Sequence, residues 1–147
     1  MRLLTKNIGR LPIGILIAYF ALLLICLAWF MQTYSLLDWE GAVKLGFQNA
    51  RGTELECAIA DVERGVAIAD ILWVLPLTVL AFIGLIRKKF IGFVASMMVF
   101  AICVYFPLFY AFRESMDSAS VTAAVVLWAV PSLLGILGLW ANRKKFK

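Results

Sequence analysis

The sequence predicts an all-α integral membrane protein, a four-transmembrane-helix bundle with both its N- and C-termini cytoplasmic. Three observations carry that reading. Hydrophobic residues make up 64% of the 147 and charged ones 16%, with a mean hydropathy of +0.95, where a soluble domain would be nearer half apolar and a quarter charged. Four apolar stretches, at about 11–31, 65–86, 90–112 and 121–141, each reach the roughly 20 helical residues needed to cross a ~30 Å hydrocarbon core. The charges, finally, sort by side. Arg2, Lys6, Arg10, Arg87, Lys88, Lys89, Arg143, Lys144, Lys145 and Lys147 fall on one side of a four-span arrangement, ten of the fourteen basic residues. All nine acids (Asp38, Glu40, Glu54, Glu56, Asp61, Glu63, Asp70, Glu114 and Asp117) fall towards the other. The positive-inside rule then sets the orientation. The length allows one domain, residues 1–147.

The first span reads as a retained helix rather than a cleaved signal. It follows a basic segment, but its apolar run is too long and no small-x-small site follows. Cys26, in "LLIC", comes after a bulky isoleucine, a poor lipoprotein signal.

The extracytoplasmic loop, 32–64, is expected to be structured. In "SLLDWEGAVKLGFQNARG" (35–52), Ser35 is the expected N-cap with Asp38 three residues on. Leu36, Trp39, Val43 and Phe47 follow at 3–4-residue spacing, the stripe of a short amphipathic helix. That stripe either lies on the bilayer surface with Trp39 at headgroup level or packs on the protein's own outer face. Gly41 and Gly46 weaken the helix by roughly 1 kcal/mol each, and Gly52 ends it. Thr53 and Glu56 then form a T-x-x-E capping box. A helix running from there to Ile86 is about 50 Å long, so its first three turns should stand outside the bilayer, or Pro76 should kink it.

Only Arg87, Lys88 and Lys89 separate the second and third spans, which predicts a tight hairpin. An echo links the second and fourth: "LWVLP" (72–76) matches "LWAVP" (127–131), and each leads to a Gly-Leu and then Arg-Lys-Lys-Phe. More loosely, "IGFVASMMVFAIC" (91–103) matches "IGILIAYFALLLIC" (13–26). Either the chain is a parallel 2+2 internal repeat, or spans of like orientation share prolines, interfacial aromatics and basic stops by convergence.

Several functions are disfavoured. The alternation of a membrane β-barrel is absent. Three cysteines show no CxxC spacing, and the absence of histidine removes His-ligated haem, most zinc sites and His-activated nucleophiles. There is no P-loop, GxGxxG, GxSxG or HExxH. No cofactor or metal is expected, and the basic pI reflects cations anchored to an anionic leaflet rather than nucleic-acid binding.

"VERGVAIADILWVLP" (62–76) is similar to the second helix of the membrane-associated proteins of eicosanoid and glutathione metabolism, four-helix chains of this size. The Arg-to-Pro spacing differs, that family's polar Asn and Glu are not matched, and the charge bias implies the opposite orientation. No residue role is carried over.

Asp70 stands out because it lies within a span. Residues seven apart lie nearly above one another on a helix, so Glu56, Glu63 and Asp70 form an acidic stripe descending into the membrane, while Asp61 and Arg64 suit an i,i+3 pair. An intramembrane carboxylate usually faces the bundle interior. Its expected neighbours, from the outer end of the third span, are Tyr105, Tyr110 and Arg113. Asp70 is then either a structural pin between helices or the centre of a ligand site with Glu63, Glu56, Trp73, Tyr105, Tyr110 and Arg113. Carboxylate and aromatic walls suit an organic cation; a hard metal ion is the weaker fit, with no EF-type spacing present. Pro76, Pro107 and Pro131 are hinges or ordinary membrane-helix prolines, and "GILG" (135–138) offers small residues for close packing, within the chain or between copies.

The leading expectation is a non-enzymatic protein of a bacterial-type cytoplasmic membrane. It binds a lipid-like or cationic small molecule in an acidic cavity open to the outside, as a small transporter or sensor. One alternative is an accessory or assembly subunit of a larger membrane complex, or a homo-oligomer. Another is a membrane enzyme using carboxylates as acid and base.

Overall fold

Each long helix of this chain starts and stops where the sequence gives it a reason. The computed structural model describes residues 2–113 and 119–147, the side chains of Tyr110, Arg113, Ala119 and Ser120 excepted. Glu114 and Asp117, counted among the outer acids, lie outside the described residues. Four helices are long and apolar enough to cross a membrane: Ile13–Leu37, Glu54–Ile86, Phe90–Phe109 and Val121–Ala141. The protein is an all-α, multi-pass membrane protein. It divides into two units, one formed by Met1–Ile25 and Leu77–Lys147, the other by Cys26–Pro76.

The first unit opens with a short helix, α1 (Arg2–Thr5), and a two-stranded ribbon, β1 (Asn7–Ile8) against β2 (Leu11–Pro12). Sequence reasoning missed this ribbon. Gly9, at φ 64°, makes its turn, a conformation glycine adopts without a Cβ penalty. The Ile13 amide donates to the Lys6 carbonyl at 2.9 Å and leads the chain into α2 (Ile13–Leu37).

Burial gains little between helices already in lipid, so close packing must hold them, and small residues permit it. A Cβ on Gly14 would stand 2.6 Å from the Gly138 Cα and 2.7 Å from the Gly138 carbonyl oxygen, so the first and last helices touch backbone to backbone. Gly84 of α5 (Leu75–Ile86) and Gly92 of α6 (Phe90–Arg113) meet in the same way and close the expected hairpin. Gly135 makes room for the Phe100 ring, which is fully buried with Leu22, Val99 and Leu139. "GILG" is thus used within the chain.

Two prolines leave matching marks. Residues 70–74 and 125–129 are each a π-turn, the first between α4 (Glu54–Ala69) and α5, the second between α7 (Ala119–Ala124) and α8 (Val130–Ala141). Each ends two residues before a proline. A proline offers no N–H to the carbonyl four back and its ring crowds that carbonyl, and widening the turn relieves the crowding. The Leu75 and Val130 amides bond instead five residues back, to Asp70 and Val125. The helix through Pro76 accordingly continues unbroken from Glu54 to Ile86.

The second unit departs from expectation at its start. The first span does not stop near 31: α2 continues to Leu37, because Gln32, Thr33 and Ser35 are tolerated in a helix. Ser35 is therefore no N-cap. It is buried and donates to the Met31 carbonyl at 2.8 Å. The cap is Asp38, whose Oδ1 accepts from the Gly41 amide at 2.9 Å. Helix α3 (Trp39–Lys44) is correspondingly short, and it is followed by Gly46 at φ 75° rather than ended at Gly52.

Candidate ligand site around Asp70

Helix α4 starts as the sequence indicates. Thr53 Oγ1 accepts from the Glu56 amide at 3.2 Å, and Glu56 Oε2 accepts from the Thr53 and Gly52 amides at 2.8 and 2.9 Å. The Thr53 amide first, then the Gly52 amide, hold the Glu56 carboxyl below its usual value. Glu56 lies well ahead of the apolar run that begins at Gly65, so this titration belongs to the aqueous side. A carboxylate whose pKa is lowered by folding stabilises the fold above its unfolded value of about 4.3 and loses that contribution as pH falls. The protection of amides 54–58, taken relative to their intrinsic exchange, is expected to fall on acidification through pH 4. Thr53→Ala should lower it at neutral pH too, at a cost of about 1 kcal/mol; unchanged protection in that variant would count against the cap.

The face of α4 that turns inward carries Ala60, Glu63, Ala67 and, beyond the π-turn's start, Val74. Two of these are alanine, so elements can pack closely there. Glu63, only 9% exposed, accepts from Asn49 Nδ2 at 2.8 Å through its Oε1. The Asn49 carbonyl in turn accepts from Trp39 Nε1 at 3.2 Å. Arg51 completes the cluster: its guanidinium lies 4.9 Å over the Trp39 ring and forms a 2.9 Å ion pair with Asp61. Asp61 therefore pairs with Arg51, not with Arg64 as the helical spacing suggested. Trp39 thus serves as a platform for the loop.

Asp70 begins the π-turn and is half-buried on the same inward stripe. Among the described residues no hydrogen bond or ion pair engages its carboxylate. Trp73 is 61% exposed. A π-turn advances less per residue than an α-turn, so Trp73 sits farther round the axis from Asp70 than regular helical spacing implies. Tyr105, of the first unit, is 65% exposed on α6. The side chains of Tyr110 and Arg113 lie outside the described residues.

Compared with family models, curated proteins and solved structures, the chain matches none.

Sequence reasoning also passed over two polar groups of the second unit. Among the described residues, the indole N–H of Trp29, 7% exposed, meets no acceptor, and the buried Gln32 side-chain oxygen meets no donor. They stand three residues apart on α2, on adjacent turns of one face. Unpaired buried groups of this kind cost about 1–3 kcal/mol each. The signal was available, as both precede the first acid of the loop, but in a hydropathy reading they mark only the end of a span. Among the described residues no group of three His, Cys, Asp or Glu side chains is placed to hold a metal ion.

Proposed function

We propose that the protein is a non-enzymatic binding protein of a bacterial-type cytoplasmic membrane, with both termini cytoplasmic. It takes a cationic or lipid-like small molecule from the outer side, as a small transporter or sensor. The observation that carries this reading is the Asp70 carboxylate, half-buried within a membrane-length helix with no partner among the described residues. A charge at membrane depth is costly unless something meets it, and an organic cation meets it directly. The Trp29 N–H and the Gln32 oxygen, unpaired in the same unit, add a donor and an acceptor for the polar parts of such a ligand. Exposed Trp73 offers an aromatic face to a cation. Glu63 and Glu56, expected to line the site with Asp70, have carboxylates already engaged by the Asn49 side chain and by the helix cap.

The same engagement favours, as second reading, an accessory subunit of a larger membrane complex, since most of the acidic stripe is committed within the chain. Binding of tetraphenylphosphonium to the purified protein separates the two. The wild type should bind, Asp70→Glu should retain binding, and Asp70→Asn should lose at least about tenfold, the equivalent of 1.4 kcal/mol. Equal binding by wild type and Asp70→Asn would overturn the site. Stoichiometric larger subunits in native mass spectra, with no probe bound, would put the second reading in its place.

A further inference from the structure

Ten of the first unit's eleven cations lie on three chain segments, and hydrogen bonds tie those segments into one end. Asn142 Nδ2 donates to the Leu4 carbonyl at 3.0 Å, bringing the segment of Arg2, Lys6 and Arg10 to that of Arg143, Lys144 and Lys145. The Lys147 amide donates to the Lys88 carbonyl at 3.1 Å, and the Lys147 carbonyl accepts from the Phe90 amide at 3.0 Å. The Phe93 and Phe146 rings, 5.7 Å apart, close the same seam. All ten cations are exposed. No Asp or Glu occurs in residues 2–25, 77–113 or 119–147, so nothing described in this unit offsets their mutual repulsion.

We propose that this end is a binding site for the headgroup of an anionic phospholipid, with a two-phosphate headgroup held best. The occupant is a lipid because apolar side chains stand among the cations. Leu3 of α1, Ile8 of β1, Ile86 and Phe90 are exposed there, the last two at the ends of membrane-length helices. Trp140 is half-exposed near the end of the last span, and the Arg143 guanidinium stacks 4.9 Å over its ring while donating to the Trp140 carbonyl at 3.0 Å. An indole of this kind sits at the membrane interface, and it presents its arginine at the depth of lipid phosphates. Lys88 adds a further observation. At φ 52° it holds a left-handed conformation, which glycine adopts without the Cβ penalty a lysine carries. The turn thus carries a third consecutive cation at a position suited to glycine. This site is independent of Asp70.

Native mass spectrometry of the purified protein, given equal amounts of cardiolipin, phosphatidylglycerol and phosphatidylcholine, tests the proposal. Cardiolipin should be retained most and phosphatidylcholine least. Each cation removed should cost about fivefold in retention. Lys88→Gly loses one charge while relaxing its turn, so it should fold and lose about fivefold. The combination Lys88→Gly, Lys144→Gln and Lys145→Gln should lose on the order of a hundredfold. Asp70→Asn should bind cardiolipin as the wild type does, which separates this site from the one on the other unit. Equal retention of phosphatidylcholine, or an unchanged Lys88→Gly, would overturn it. So would displacement of cardiolipin by millimolar pyrophosphate or by an oligonucleotide, which would make the site one for free phosphates or nucleic acid.

Discussion

Gly92→Val should abolish the folded protein in detergent, and Gly138→Val should come close to doing so. At both positions a side chain would meet backbone, which cannot rotate away. A Cβ on Gly92 would collide with the carbonyl carbon of Gly84 and with the Leu85 nitrogen, and a Cβ on Gly138 with the carbonyl of Gly14. Overpacking costs about 1–3 kcal/mol where neighbouring side chains can yield. A backbone wall puts these two at or above the top of that range, against a total stability of only about 5–15 kcal/mol. Gly65→Ala is the contrast, because nothing lies within 4 Å of its added carbon. There alanine gains helix propensity, up to roughly 1 kcal/mol. Thermal unfolding and the monodisperse fraction on size exclusion read all three. A Gly92→Val protein that melts with the wild type would mean the α5–α6 backbones do not touch.

Asn49→Ala should loosen the loop over α4 far more than loss of the nearby ion pair does. Asn49 donates to a buried carboxylate at 2.8 Å, and withdrawing a donor from a charged, buried acceptor costs about 1.5–3 kcal/mol. Arg51→Ala breaks a contact of 2.9 Å, but Asp61 is largely exposed, and surface pairs are worth roughly 0–1 kcal/mol. The Trp39 bond goes to the Asn49 backbone and survives the substitution. Hydrogen exchange over residues 45–53 should therefore rise steeply in Asn49→Ala and modestly in Arg51→Ala. Equal rates in the two variants would mean that Glu63 does not hold the loop.

The spans were legible because lipid imposes a length and a composition that nothing else in a chain reproduces. The Thr53–Glu56 cap was legible because its two partners are three residues apart. Ser35 was misread because its neighbours look like a helix start, although no breaker stands between it and the span before it. Asp61 was assigned to Arg64 on spacing alone, and a loop residue, Arg51, took the pair. The small residues of "GILG" signalled close packing, but the sequence could not say that Gly14 was the partner of Gly138. Around Asp70 the acids were visible and their commitments were not. Asn49, Trp29 and Gln32 carry no motif, and their importance comes only from what surrounds them.

The contact between Gly14 and Gly138 also sets an order of events during synthesis. Its two halves are 124 residues apart (138 − 14), whereas Gly84 and Gly92 are eight. A ribosome working at 5–20 residues per second needs roughly 6–25 s to make the difference. The α5–α6 hairpin can close as soon as it emerges. The first helix must wait in the bilayer for that whole interval with its glycine face uncovered, open to whatever else the membrane brings against it. The last helix ends that wait.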